Sequence, residues 1–449
     1  MSSTTPSRDQ LSITPEPQRV YLSTYTRFSK GRKLLVTAFL AYCGLLATMS
    51  TTSVLSAIPE VVDTFNTSAA VISISNAVYL ACMGVSACLW GPWADMFGRR
   101  SAYIWSTLFF LCFSIGTAVS PSLTSFFVFR GLTALQGTAF LILGSSCISD
   151  IYHPTERATS LGWFLSGTMI GPAFGPIIGG IIVTYSHWRV IFWLQSSLAA
   201  VSFIFAIFFF RETMQAPIST EAGHGSVVQL IGAVARKFNP SMVFKLYMQK
   251  HMLFVSLASS ALVWNMYSLL TPIRYVLNPR LKLATPLESG LLYISPGAGY
   301  ILGTLIGGRW ADHTVKRWMV KRGTRLPEDR LRSSLVFLGI LLPGSMLLYG
   351  WTVDARLGGI PLPVIFMFFQ GVAQLAAFPS LNTYILDAMQ DKSGQASASH
   401  YLMRYLFAAL ASGQLVFRTN NVTTSNELAT GFVKISRLRG CRMVSTAKF

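Results

Sequence analysis

Residues 91–100 read Gly91-Pro92-Trp93-Ala94-Asp95-Met96-Phe97-Gly98-Arg99-Arg100, and residues 308–317 read Gly308-Arg309-Trp310-Ala311-Asp312-His313-Thr314-Val315-Lys316-Arg317. The second decad repeats Gly, Trp-Ala-Asp and a closing basic pair in register with the first. Each copy follows a long apolar run, and that placement decides the fold. A chain turning between two membrane helices within about ten residues needs backbone freedom, which Gly91 and Gly98 supply. Asp95 can then face a helix N-terminus, while Arg99 and Arg100 can pair with acids on neighbouring helix ends. Asp150 and the nearby Arg157 offer such a neighbourhood, and Asp312 repeats the acid in the second copy.

Working outward from these decads, runs of about 20 apolar residues, enough to cross a bilayer, lie near 34–58, 71–90, 102–119, 126–147, 161–183 and 191–209. A polar, basic stretch over 211–251 separates them from five more, near 252–273, 289–307, 334–351, 362–386 and 396–416. The expected architecture is an all-α polytopic membrane protein with eleven spans. It divides into a tail over 1–33, a six-helix bundle over 34–210, the linker 211–251, a five-helix bundle over 252–416 and a tail over 417–449. Gln136-Gly137 in span four and Gln370-Gly371 in span ten echo the repeat. Duplicated halves are a transporter architecture, with the substrate site between them at the midplane.

Composition agrees. The 449 residues are 52% hydrophobic and 12% charged, with mean hydropathy +0.49, about half the charge of a soluble chain. Lys and Arg number 36 against 17 Asp and Glu. Of the 36, 23 fall in the N-terminal tail and alternate loops, and 5 in the opposite loops. By the positive-inside rule the N-terminus and linker are cytoplasmic, so the basicity sets orientation and does not indicate nucleic acid. Cys43, Cys82, Cys88, Cys112 and Cys147 lie in or beside apolar stretches and Cys441 in the tail, which suggests neither disulfide framework nor zinc site. No Walker motif or histidine ligand pattern occurs, so no enzyme, metal or cofactor is expected.

Span five carries Gly167, Gly171, Pro172, Gly175, Pro176, Gly179 and Gly180. Glycine every fourth residue clears one helix face for another backbone, and Gly299, Gly303 and Gly307 form a matching stripe in span eight. Arg130 in span four is a buried cation and by default functional. Arg404 in span eleven is a second, about two turns from its end, where snorkelling to the interface is the alternative. Thr51, Gln136, Asn265, Gln370 and Gln374 are candidate cavity residues, each equally able to be an inter-helix hydrogen bond. No Asp or Glu lies in the middle of any span, so the obvious proton carrier is missing.

The decad 91–100 resembles the signature loop of the major facilitator superfamily. Together with Gly144-Ser145-Ser146-Cys147-Ile148-Ser149-Asp150, Glu156-Arg157, Gly162-Trp163-Phe164-Leu165-Ser166-Gly167 and His187-Trp188-Arg189, it makes residues 34–416 similar to fungal drug:proton antiporters of the twelve-span type. The resemblance implies two bundles rocking around a central cavity and a cytoplasmic gate latched by Gly91, Asp95, Gly98, Arg99, Arg100, Asp150, Arg157 and Asp312. It implies proton coupling through Arg130 and an antiporter motif in span five. It also implies a monomer in the plasma or vacuolar membrane that exports drugs, toxins or secondary metabolites against protons. A uniporter or importer, or a degenerate non-transporting relative, remains an alternative. The family has a twelfth span where this chain reads Phe417-Arg418-Thr419-Asn420-Asn421 and continues with Lys434, Arg437, Arg439, Arg442 and Lys448. No apolar window there can cross a bilayer, and the expectation is an aberrant tail from a faulty gene model.

Overall fold

The structure is a computed structural model that describes residues 28–153, 155–214, 241–270, 286–324, 326–355, 357–389 and 393–421, with Ile273 and Leu277. The region beyond Asn421, and with it the question of a twelfth span, lies outside the described residues. Hydrocarbon offers no water to satisfy backbone groups, so a spanning segment must close its own hydrogen bonds as a helix. Among the described residues there is no strand.

Among the described residues eleven long helices run in order: α1 Lys30–Phe65, α2 Ala69–Phe97, α3 Arg99–Val119, α4 Leu123–Ile151, α5 Arg157–Tyr185, α6 Arg189–Phe208, α7 Lys250–Leu270, α8 Ile294–Arg322, α9 Asp329–Asp354, α10 Pro361–Ala388 and α11 Ser393–Asn421. The first ten are long and apolar enough to span a membrane. The eleventh is as long as its neighbours and lies against α2 along its length. Serines mark three starts: Ser29, Ser68 and Ser122 accept hydrogen bonds from the backbone N–H of Arg32, Val71 and Ser125, filling donors that a first turn leaves open.

The helices exceed the apolar runs that foretold them. α8 continues to Arg322, so the decad 308–317 is helix rather than loop, and most of 91–100 likewise belongs to α2. α1 tightens to a 3-10 turn over Ser53–Ala57, and α9 holds a π turn over Phe337–Leu341.

α1 packs on α5, α3 on α6, α8 on α10 and α7 on α11. Two seams then join the first six helices to the later five: α2 against α11 and α5 against α8. One continuous apolar core runs through both sets. A second, smaller core of Phe126, Trp188, Phe192 and Val61 closes the end opposite the basic loops. There Trp188 Nε1 donates to Thr64 Oγ1 at 3.0 Å, and Arg189 lies over the Trp188 ring.

Candidate functional site: a charged gate and a polar centre

At the basic end, α2 stops at Phe97, Gly98 takes φ +87°, and α3 begins at Arg99. A four-residue separation across that turn brings Asp95 and Arg99 together. Arg99 Nη1 donates to Asp95 Oδ1 at 2.7 Å and Nε to Asp150 Oδ2, at the end of α4, at 3.2 Å. The expected pairing of Arg99 with Asp150 is present. Arg100 departs from expectation: among the described residues its guanidinium forms no ion pair, and Nη2 donates instead to the Ile207 carbonyl at the end of α6.

Sequence reading missed the group that closes this corner. Glu212, just past α6, accepts the backbone N–H groups of Arg99 at 2.9 Å and Arg100 at 3.0 Å. An acid at a helix N-terminus satisfies open donors and favours the helix dipole. A Cβ at residue 98 would stand 2.5 Å from Glu212 Oε2, so both the backbone angle and the close carboxylate require glycine there.

The later helices build the same triangle from Asp312 on α8, Arg330 on α9 and Asp387 on α10. Arg330 Nε donates to Asp387 Oδ2 at 2.5 Å and Nη1 reaches Asp312 Oδ1 at 3.5 Å. Each triangle takes an acid from the second helix of its set, an arginine from the start of the third and an acid from the end of the fourth. The sequence repeat identified Asp312 but not Arg330 or Asp387. Because α8 runs on for several turns, its arginine stands 18 residues after Asp312 instead of 4. A basic residue just before span nine, and an acid ending span ten as Asp150 ends span four, were the available signals.

The triangles are cross-linked. Arg157, at the start of α5, donates from Nη1 to Asp387 Oδ1 at 2.5 Å and from Nη2 to the Ser149 carbonyl at 3.1 Å. This ion pair joins the two sets of helices, and Arg157 also lies within electrostatic reach of Asp150. Asp312 Oδ2 accepts Thr159 N at 2.9 Å and Thr159 Oγ1 at 2.5 Å, in the first turn of α5. Reciprocally, the Asp95 carboxylate fills the space beside Gly394 in the first turn of α11, and Gly91 stands beside Ala398 and Gly394. Each acid thus meets a positive helix end from the opposite set. Arg157, Arg330 and Asp387 have side chains only 1–2% exposed. Charges this dry hold only while paired, so opening this end means moving water in to replace every pair that is broken.

In the centre, Gln370 Nε2 on α10 donates to Asn265 Oδ1 on α7 at 2.9 Å and to Gln374 Oε1 at 2.6 Å. Gln374 Nε2 approaches Met169 Sδ on α5 at 4.0 Å. Three of the cavity candidates therefore form one strip, Gln370 and Gln374 fully buried and Asn265 half-buried. Gln136 is separate, donating to its own helix at Leu132 O, and Thr51 donates to Ala47 O and towards Met83 Sδ. Arg130 is 2% exposed: Nη2 donates to Asn76 Oδ1 at 2.9 Å, and the guanidinium lies over the Tyr79 and Phe126 rings. Arg404 is 3% exposed over Phe378 and Tyr401, so it does not snorkel.

The glycine stripes do not meet each other, contrary to what their matching spacing suggests. Gly167, Gly171, Gly175 and Gly179 of α5 pack on α1, and a Cβ at Gly171 would lie 2.9 Å from both Leu45 O and Met49 N. Gly299, Gly303 and Gly307 of α8 pack on α10. Hydroxyls bind across the first seam, Ser56 Oγ donating to Pro176 O at 2.6 Å and Thr52 Oγ1 to Gly171 O at 3.4 Å.

Comparison with known proteins agrees with this architecture. The chain is 23% identical to the MFS antiporter QDR3 of Candida albicans, over 85% of this chain and 72% of that protein. It is 24% identical to Citrate exporter 1 of Aspergillus niger, over 89% and 84%. Among solved structures, the human organic anion transporter MFSD10 (TETRAN) superposes with a TM-score of 0.65 at 14% identity, covering 92% of this chain and 99% of that one. The proton:xylose symporter XylE gives 0.64 at 13% identity over 92% and 95%. Residues 40–412 match the Major Facilitator Superfamily, and the chain, a multi-pass membrane protein, belongs to that family.

Proposed function

We propose that this chain is a secondary active transporter that exports small organic molecules, drugs, toxins or secondary metabolites, by alternating access driven by proton antiport. The observation that carries the reading is the cross-linked gate: Arg157 of α5 on Asp387 of α10, and Asp312 of α8 on the first turn of α5. These contacts tie two sets of helices at one end only through groups that must re-pair or hydrate when the halves part, a bistable element of the kind alternating access needs. Residues 34–210 and 252–416 act as the two moving bodies, with 211–251 as the cytoplasmic tether.

Export is supported by the likeness to the efflux pump radE of Floropilus chiversii, 27% identical over 78% of this chain, and to the citrate exporter. Antiport is supported by the α5 stripe packed on α1 and by the likeness to QDR3. Gly91, Asp95, Gly98, Arg99, Asp150, Arg157 and Asp312 serve the gate. Arg130 is the proton-coupling residue, and Asn265, Gln370 and Gln374 line the path. The chain works as a monomer in the plasma membrane or the vacuolar membrane.

The test is uptake of a compound panel into inside-out vesicles from cells expressing the chain, with and without an acid interior. Gradient-dependent uptake of at least one compound is expected. Uptake indifferent to the gradient would assign a uniporter instead.

A further inference from the structure

Among the described residues five arginines are buried, and the protein treats them in two ways. Arg99, Arg157 and Arg330 each meet one or two aspartates at the basic end. Arg130 and Arg404 meet no carboxylate among the described residues. A guanidinium keeps its charge in any protein environment, so neither can escape by losing a proton. A buried cation without a counter-charge is costly and is retained only where something supplies the missing anion.

Arg130 gives its Nη2 to Asn76 Oδ1, whereas Arg404 is held by rings. Arg404 stands eleven residues into α11, about 16 Å from the start of that helix, close to mid-span. Its guanidinium lies 4.5 Å from the centroid of the Phe378 ring on α10 and 4.8 Å from that of Tyr401. The two rings stabilise the cation, and the Tyr401 hydroxyl lies within hydrogen-bond reach of it. Nε and Nη1 of Arg404 are buried and have no hydrogen-bond partner among the described residues. The Nε–H and Nη1 donors point to different sides of the planar fork, so each is free to give one charge-assisted hydrogen bond to an oxygen of an anion.

The surroundings suit an organic anion rather than a bare one. Tyr267 of α7 and Tyr405 lie within electrostatic reach of Arg404, and Tyr79 of α2 lies within reach of both tyrosines. Tyr79 in turn carries Arg130, whose Nε and Nη1 are also without partners among the described residues. A belt of aromatic rings therefore runs from one orphaned arginine to the other across both sets of helices. Gln370 Oε1 and Gln136 Oε1 are buried acceptors with open lone pairs, ready for a hydroxyl on the same molecule.

We propose that Arg404, beside Phe378 and Tyr401, is the docking site for a carboxylate on the transported molecule, and that the substrate class is an organic acid with an apolar or aromatic body. This deepens the export reading and rests on it for the word transported. Phe378 and Tyr401 hold the guanidinium in place, an open Nε–H or Nη1 donor takes a carboxylate oxygen, and Tyr267, Tyr79 and Tyr405 pack on the body. Arg130 offers a second cation for a diacid.

The experiment is equilibrium binding to the purified full chain in nanodiscs with no pH gradient. The probes are three matched sets, built on phenylbutyl, naphthylacetyl and decanoyl bodies, each ending in a carboxylate, a primary amide or an amine. A charge-assisted hydrogen bond predicts that the carboxylate binds about tenfold or more tightly than its amide and amine. Arg404→Gln should remove that preference, and Arg404→Lys should keep the charge but weaken it, with thermal melts confirming that both variants are folded. Two results would overturn the site: no carboxylate preference in any of the three sets, or a full preference retained in folded Arg404→Gln. Because binding is read without a gradient, the two readings fail separately. Carboxylate binding with no gradient-driven flux sinks antiport and leaves the site standing, whereas gradient-driven export of amines with no carboxylate binding does the reverse.

Discussion

Asp387→Asn removes a charge from the residue on which the gate converges. The carboxylate holds Arg157 and Arg330 at 2.5 Å each, with its own side chain 1% exposed. The two contacts differ in what opening does to them. Arg330 and Asp387 sit on neighbouring helices of one set and stay together whichever end is open. Arg157 comes from the other set and can reach Asp387 only when the basic end is closed. A buried hydrogen bond between charged groups contributes about 1.5–3 kcal/mol, so losing the Arg157 share should shift the closed-to-open ratio about 10- to 150-fold toward opening. Overall stability should fall further, by about 3–5 kcal/mol, because Arg330 loses most of its counter-charge as well. The assay is maleimide labelling of Ala398→Cys in a cysteine-free background. Ala398 is fully buried beside Gly91 in the closed gate. Asp387→Asn should raise the labelling rate from the cytoplasmic face by about tenfold or more. Arg157→Gln should do the same alone but add little to Asp387→Asn, since the pair shares one interaction. Unchanged labelling in a folded Asp387→Asn protein would refute the assignment of that pair to the gate.

Three further outcomes follow from the same geometry. Asp95→Asn should lower flux while membrane insertion persists, because it weakens both the Arg99 pair and the contact with the first turn of α11, the latter about 0.3–1 kcal/mol where exposed and more where buried; wild-type flux at normal expression would contradict this. Gly98→Ala should lower the melting temperature, since forcing a side chain into φ +87° costs about 1–3 kcal/mol and Glu212 blocks the Cβ; an unchanged melt would show that the α2–α3 corner relaxes freely. Gly171→Ala should destabilise despite alanine's better helix propensity, because the Cβ meets the α1 backbone on two atoms and overpacking costs about 1–3 kcal/mol against a propensity gain of about 1; a stabilised variant would mean that α1 and α5 are free to separate.

How much was legible in the sequence depended on distance along the chain. Spans were legible because hydrocarbon imposes a minimum apolar length on each. Their ends were not: α8 keeps its helix for several turns beyond its apolar run, through Lys316, Arg317 and Lys321. The Asp95–Arg99 pair was legible because both residues sit in one decad. Glu212 was not, since it reaches Arg99 from 113 residues away. Asp387 gathers arginines 230 and 57 residues distant, and nothing local distinguishes it from a helix-end acid facing water. The polar types at Asn265, Gln370 and Gln374 stood out against apolar surroundings, but only the crossing of α7 and α10 makes them one strip. Arg404 looked near enough to a helix end to snorkel, and the extra turn at the start of α11 is what buries it.

The most direct test of the central claim is uptake into inside-out vesicles with an acid interior, measured for wild type and for Asp387→Asn, with a protonophore added as control. The account predicts wild-type accumulation of at least one organic solute that collapses with the protonophore and falls sharply in the gate variant. Accumulation unaffected by both the protonophore and the gate variant would contradict it.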